Sequence, residues 1–226
     1  IIGSLGTTTI QGDENAFINN EVLTSNGSNN SAINSNTTSI YGSNNMVLRS
    51  TAITLGDSTT GEEETSTSNV IINSSAVTIG LTSERNTLIS TSSVSGSDTF
   101  KGDDNVILGS TGFKIGTTSA NADNNFLANT GNKTVTGDGN SVIGGINTTI
   151  SGNENVVLEN TGGTIAGNNN IVSGVSNTVA SSAKYSFVMG QSHDLTKSGS
   201  GQIQRNTALG YNLSLIHISE PTRPDY

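Results

Sequence analysis

An asparagine followed by a short apolar word recurs along this chain at intervals too regular for an unstructured polymer. It stands at Asn15, Asn30, Asn45, Asn69, Asn86, Asn105, Asn125, Asn140, Asn155 and Asn170; Ser186 takes the next place and Asn206 the last. Successive intervals are 15, 15, 24, 17, 19, 20, 15, 15, 15, 16 and 20 residues. Fifteen is the base period, the longer intervals carry insertions, and twelve units result. Fifteen residues cannot hold a strand–helix–strand crossover. They suffice for one coil of a parallel β-solenoid, in which each strand pairs with its copy one coil away. At a strand spacing of about 4.8 Å, twelve coils make a rod on the order of 55 Å long.

Each unit holds two words. The first follows the asparagine, as in Met46-Val47-Leu48 and Val156-Val157-Leu158; the second precedes a glycine, as in Thr149-Ile150-Ser151-Gly152. Short β-branched runs between Gly and Asn turns read as strands. The turn is Gly-x-x-Asn, with Gly12 and Asn15, Gly27 and Asn30, Gly42 and Asn45, Gly102 and Asn105, Gly137 and Asn140, Gly152 and Asn155, and Gly167 and Asn170. A sharp corner calls for positive φ, which Gly adopts freely and Asn tolerates next best. Stacked asparagines can also bond to one another from coil to coil. The nearest functional rival is a calcium-binding nonapeptide repeat. Its aspartate is irregular here, with Asp13, Asp103 and Asp138 against Ser28, Ser43, Asn153 and Asn168, and the period is wrong.

The second position of the first word reads Phe17, Ala32, Val47, Ile71, Leu88, Ile107, Leu127, Val142, Val157, Val172, Val188, Ala208. The third is apolar almost throughout as well, from Ile18 to Leu209. Neighbouring strand residues point to opposite faces, so both faces of this strand are expected to be buried. One fills the coil; the other needs a cover, and another copy of the chain along the same stripe is the simplest one. The second word, flanked by Thr, Ser and Lys, reads as half exposed.

Composition narrows the field. Charged residues are 12% and aromatics 4%, too few for a thick globular core. There is no cysteine, which excludes disulfides and thiolate chemistry. No apolar run approaches the roughly 20 residues of a membrane helix. A formal charge of −9 argues against binding a nucleic-acid backbone. No cofactor or metal is expected, because phosphate loops, dinucleotide fingerprints and metal-spaced His pairs are missing from the sequence. The chain opens Ile1-Ile2-Gly3 and reads as an internal fragment, with 1–212 one repeat domain. Residues 213–226, beginning LSLIHISEPTR, resemble a translated sequencing adapter and read as non-native.

"YSFVMG" (185–190), "NSVIGG" (140–145), "NVILG" (105–109) and "NTALG" (206–210) resemble the head repeat of trimeric autotransporter adhesins, also found in phage tail fibres. The resemblance spans about residues 5–212 and is strongest from 100 to 212. It implies a left-handed parallel β-roll, three chains around a shared axis, an extracellular place on a bacterial surface or virion, and a host-surface glycan or protein as receptor. It transfers no binding residue. The chain departs from that repeat in its Asn richness, its second word and its irregular insertions.

Function could sit where the extra residues lie: 57–68 with Glu62, Glu63 and Glu64, then 81–85, 117–124 with Asp123, and 191–205 with His193. Loops on a rigid scaffold commonly carry recognition. Ser192-His193-Asp194 holds the letters of a hydrolase triad, but three adjacent residues cannot converge as a triad must. The expectation is therefore a structural and adhesive rod, not an enzyme. Two alternatives stand beside it. An ice-binding solenoid would need a flat Thr array, which Thr149, Thr164 and Thr178 approach and Ser39 and Lys114 interrupt. A polysaccharide-acting β-helix tailspike would need a carboxylate cluster in a groove.

Overall fold

The structure, a computed structural model, describes residues 8–18, 21–33, 36–49, 51–55, 67–73, 75, 78–79, 83–90, 101–116, 121–196 and 203–213. They form an all-β parallel solenoid, with no helix among the described residues. The first words stack into one twelve-stranded sheet running from Ala16–Ile18 to Thr207–Tyr211. The second words stack into a five-stranded sheet from Thr8–Gln11 to Thr78–Ile79 and a six-stranded sheet from Lys114–Ile115 to Asp194–Leu195. Ala183–Lys184 and Ile203–Gln204 make a further two-stranded pair.

Register follows the repeat, not the residue count. Val142 pairs with Val157 across 15 residues. Val47 pairs with Ile71 across 24, and Ile107 with Leu127 across 20. Insertions therefore leave the sheet unbroken. A slip of one residue would turn the buried file outward, so the apolar pattern itself holds the register.

The second position of the first word faces inward in all twelve strands, from Phe17 to Ala208, and is fully buried. Ile40, Ile115, Val135, Ile150, Ile165, Val179 and Leu195 of the second word meet it from the other side. Together they form one continuous core. Thr149 and Thr164 point outward and are exposed, so the second word is half exposed as its composition suggests.

In the single chain one face of the first word is buried, and the other, which the sequence assigns to a second copy to cover, is open. The first and third positions both point outward. They are half-buried along much of the sheet and exposed at Met46, Ile143, Val156, Leu158, Ile171, Met189 and Leu209. The reason is the two-residue side-chain period: a three-residue word places one side chain inside and two outside. The outer face is thus two files wide: the third position is apolar except at Ser173, and the first is interrupted by Ser31, Thr87, Ser141 and Thr207.

Candidate functional site: corners and outer face

The Gly-x-x-Asn corner is a hydrogen-bond device in which each position has a separate task. The asparagine Oδ1 accepts the backbone N–H of the next asparagine: Asn155 donates to Asn140 at 3.0 Å and Asn170 to Asn155 at 2.9 Å. The Nδ2 of the later residue donates to the same oxygen, at 3.1 Å from Asn155. This chain of bonds runs from Asn15 through Asn30, Asn45, Asn69, Asn86, Asn105, Asn125, Asn140, Asn155 and Asn170 to Ser186. Ser186 takes the backbone bond but turns its hydroxyl to Lys184 O. It offers no amide oxygen onward, and Asn206 Nδ2 lies buried without a partner.

The first x is a second acceptor, aimed the opposite way. Asp103 N–H donates to Asp123 Oδ1 at 2.8 Å, Asp123 to Asp138 Oδ1 at 2.9 Å, and Asp138 to Asn153 Oδ1 at 3.0 Å. Asp13 and Ser28 donate to the hydroxyls of Ser28 and Ser43. The irregular aspartates of the sequence are thus one class with serine and asparagine: short side chains that accept. Among the described residues no three His, Cys, Asp or Glu side chains converge to hold a metal ion.

Positive φ falls at the corner glycines Gly12, Gly27, Gly42 and Gly102, as expected, and at a second place that residue type does not mark. The residue before each asparagine carries it, whatever its chemistry: Glu14, Ser68, Arg85, Asp104, Tyr185 and Arg205 as well as Asn29 and Gly139. The left-handed conformation costs a side chain about 1–2 kcal/mol. From Asn29 onward its N–H bonds the preceding coil at every such corner, as Glu154 does to Asp138 O at 2.8 Å, and the stack imposes the conformation. The corner glycine also serves close approach, even where its φ is not positive. A Cβ on Gly152, whose φ is not positive, would run into the carbonyl of Gly167.

A second interior corner precedes the second word. Register places Phe113, Lys133, Thr148, Gly163, Asn177 and His193 in one file. Lys133 is 1% exposed. Its ammonium donates to Thr148 Oγ1 at 2.8 Å and to Asn160 O at 2.7 Å. It thereby reaches the coil where Gly163 contributes no side chain. Burial pulls its pKa from the ordinary 10.5 down to about 8, against a smaller upward pull from Glu159. Sequence reasoning missed this residue, because lysine reads as surface. Its place directly before a Thr-Val word, where Phe113 stands one unit earlier, was the available signal.

The expected contact residues separate. Glu62, Glu63 and Glu64 lie outside the described residues, as do most of the insertions. Asp123 is half-buried and serves the corner. His193 is not a surface contact residue: it is 1% exposed, and Asn177 Oδ1 accepts its N–H. Its Nε2 lies 3.1 Å from Met189 O, and its Nδ1 faces Leu213 N–H at 3.3 Å. Asp194 lies in a strand beside Thr178 and does not join His193 in a triad. The exposed ridge instead carries Arg85, whose guanidinium holds Asp104 by two bonds of 2.7 and 2.8 Å and Glu84 by one of 2.8 Å. That hydrogen bonding holds the Asp104 carboxyl below its usual range.

No protein-family model and no curated protein matches the chain.

Proposed function

We propose that this chain is a structural and adhesive rod that works as a homotrimer, displayed outside the cell on a bacterial surface or a phage tail fibre. The observation that carries the reading is the outer face of the twelve-stranded sheet. A third-position file that is apolar but for Ser173 runs along it from Ile18 to Leu209, beside a first-position file that Ser31, Thr87, Ser141 and Thr207 interrupt, with Met189 46% and Leu209 54% exposed in the single chain. A monomer rarely leaves so long an apolar stripe to water. Corners stiffened by side-chain bonds in successive coils suit a load-bearing spacer, and the exposed ridges and inserted segments suit receptor contact. The reading assigns the chain no catalytic role. The outward threonines Thr134, Thr149, Thr164 and Thr178 stand in register, as an ice-binding array would require. Lys114 and Asp194 close that file at both ends, which favours the rod.

Residues 5–212 fused to a removable trimerising cap test it. After the cap is cleaved, sedimentation equilibrium is expected to report a trimer. Stable, soluble monomers would remove the stripe's need for a partner and the reading with it.

A further inference from the structure

The corner ridge changes character in its last two coils. From Glu84 onward the first x of the corner follows one rule. Its N–H donates to the side-chain oxygen at the same place one coil on, as Glu84 does to Asp103 Oδ1 at 2.8 Å and Asn153 to Asn168 Oδ1 at 2.9 Å. Lys184 and Gln204 hold that place next. A lysine side chain has no acceptor, so this chain of bonds stops at Asn168. Backbone pairing of Ala183–Lys184 with Ile203–Gln204 takes over.

The neighbouring file changes at the same point. Tyr185 and Arg205 follow Glu154 and Asn169 there, and both have positive φ. A bulky aromatic is a costly occupant of that conformation, which Asn and Gly tolerate. Packing does not offset the cost, because Tyr185 is 57% exposed. Strain of this kind collects at functional sites. Arg205 is exposed as well, and among the described residues no carboxylate pairs with it. Arg85, earlier in the same file, is held by Asp104 and Glu84. The ridge is acidic through Glu84, Asp103, Asp104, Asp123, Asp138 and Glu154, then turns basic at Lys184 and Arg205.

Resting on the adhesive reading, the geometry points to Lys184, Tyr185, Gln204 and Arg205 as a contact site for a carboxylate-bearing sugar of a surface glycan. Arg205 N–H donates to Lys184 O at 3.0 Å, and Lys184 pairs with Gln204, so the four residues form one patch. The bond between Arg85 and Asp104 shows that side chains one coil apart in this file reach each other. A guanidinium takes a carboxylate by two parallel bonds. Tyrosine beside it offers a rigid amphipathic face to the C–H side of a pyranose ring. Gln204 and Lys184 add donors for hydroxyls. An acidic peptide would use the cations without needing the aromatic platform, and the formal charge of −9 disfavours a polyphosphate.

The full 226-residue chain is titrated onto immobilised sialyllactose and hexagalacturonate, onto their methyl esters, and onto hexaglutamate. At least one acidic sugar is expected to bind, with its ester and hexaglutamate at least about ten-fold weaker. Tyr185→Asn and Arg205→Asn are each expected to weaken binding by about ten-fold or more, as loss of a central contact does. Asparagine already stands at Asn29, Asn44 and Asn169 of this file, so both variants should unfold no earlier than the parent. Tyr185→Phe keeps the ring face and most of the binding, and Arg85→Asn changes nothing. Binding of neither acidic sugar, binding that survives the asparagine variants, an equal loss with Arg85→Asn, or hexaglutamate held as tightly overturns the site. Light scattering on the same samples keeps the two readings apart. A trimer that binds no sugar overturns the site alone, and a monomer that binds with the expected pattern overturns the trimer and leaves the site.

Discussion

The two corners that face the interior of the coil are built on opposite terms. At one, a backbone N–H in each coil depends on a side-chain oxygen of the preceding coil, and asparagine fills the place from Asn15 to Asn170. At the other, Phe113, Lys133, Thr148, Asn177 and His193 occupy one file and are all buried. The side chain there fills volume and satisfies its neighbours case by case, and only at Asn177 does it accept the backbone N–H of the next coil, that of His193. A position bound to backbone geometry admits one residue type; a position bound to volume admits many.

The largest effect that would break this contrast comes from the asparagine corner. Asn140→Leu removes the oxygen that accepts both the N–H and the Nδ2 of Asn155. Two buried donors are orphaned at about 1–3 kcal/mol each, so a loss of about 3 kcal/mol or more is expected in thermal or denaturant unfolding. Asn177→Thr, which imports the residue type found at Thr148, should cost less than half as much. Equal losses would show that the second corner is as strict as the first.

The same contrast explains what the sequence could disclose. The period and the parallel stacking were legible because each rests on a repeated residue type at a repeated place; that one apolar position fills the coil was legible too, but not which of the two. The corner asparagine was legible for the same reason. The left-handed residues before it were not, because the stack imposes that φ on Glu14, Arg85 and Tyr185 alike and leaves no signature in residue type. Burial of His193 and Lys133 was hidden because their file shares no chemistry. The width of the outer stripe was underestimated by following two positions of a three-residue word.

Lys133 sharpens the comparison at middle size. Lys133→Met keeps the stem volume and leaves Thr148 Oγ1 still donating to Asn160 O at 2.8 Å. The folded pKa of Lys133 lies near 8, below the ordinary 10.5. Between those values the unfolded chain holds the proton more tightly, so the native protein gains stability as pH rises through that window. Below about pH 8 the buried ammonium weighs on the fold. The variant is therefore expected to unfold at a higher temperature at pH 7, and its advantage should shrink between pH 8 and 10.5. A constant difference across that range would mean the lysine is solvated in the folded chain.

The smallest effect tests whether the first x of the corner is chosen for accepting or for charge. Asp123 Oδ1 accepts the N–H of Asp103, and Asn153 does the same for Asp138 with an amide oxygen. Asp123→Asn keeps the acceptor, while Asp123→Ala removes it. On the acceptor account alanine costs about 1 kcal/mol and asparagine almost nothing. Charge adds a second, opposite term. Asp103, Asp123 and Asp138 stand in successive coils, so their carboxylates repel at roughly the strand spacing of 4.8 Å. Asp123→Asn relieves that repulsion, and at low ionic strength it should slightly stabilise the rod. The gain should fade toward 0.5 M salt, where screening acts within a few ångströms, while the alanine deficit persists. If alanine and asparagine behave alike at every salt concentration, the backbone bond at this position contributes nothing, and the recurrence of Asp, Ser and Asn there needs another cause.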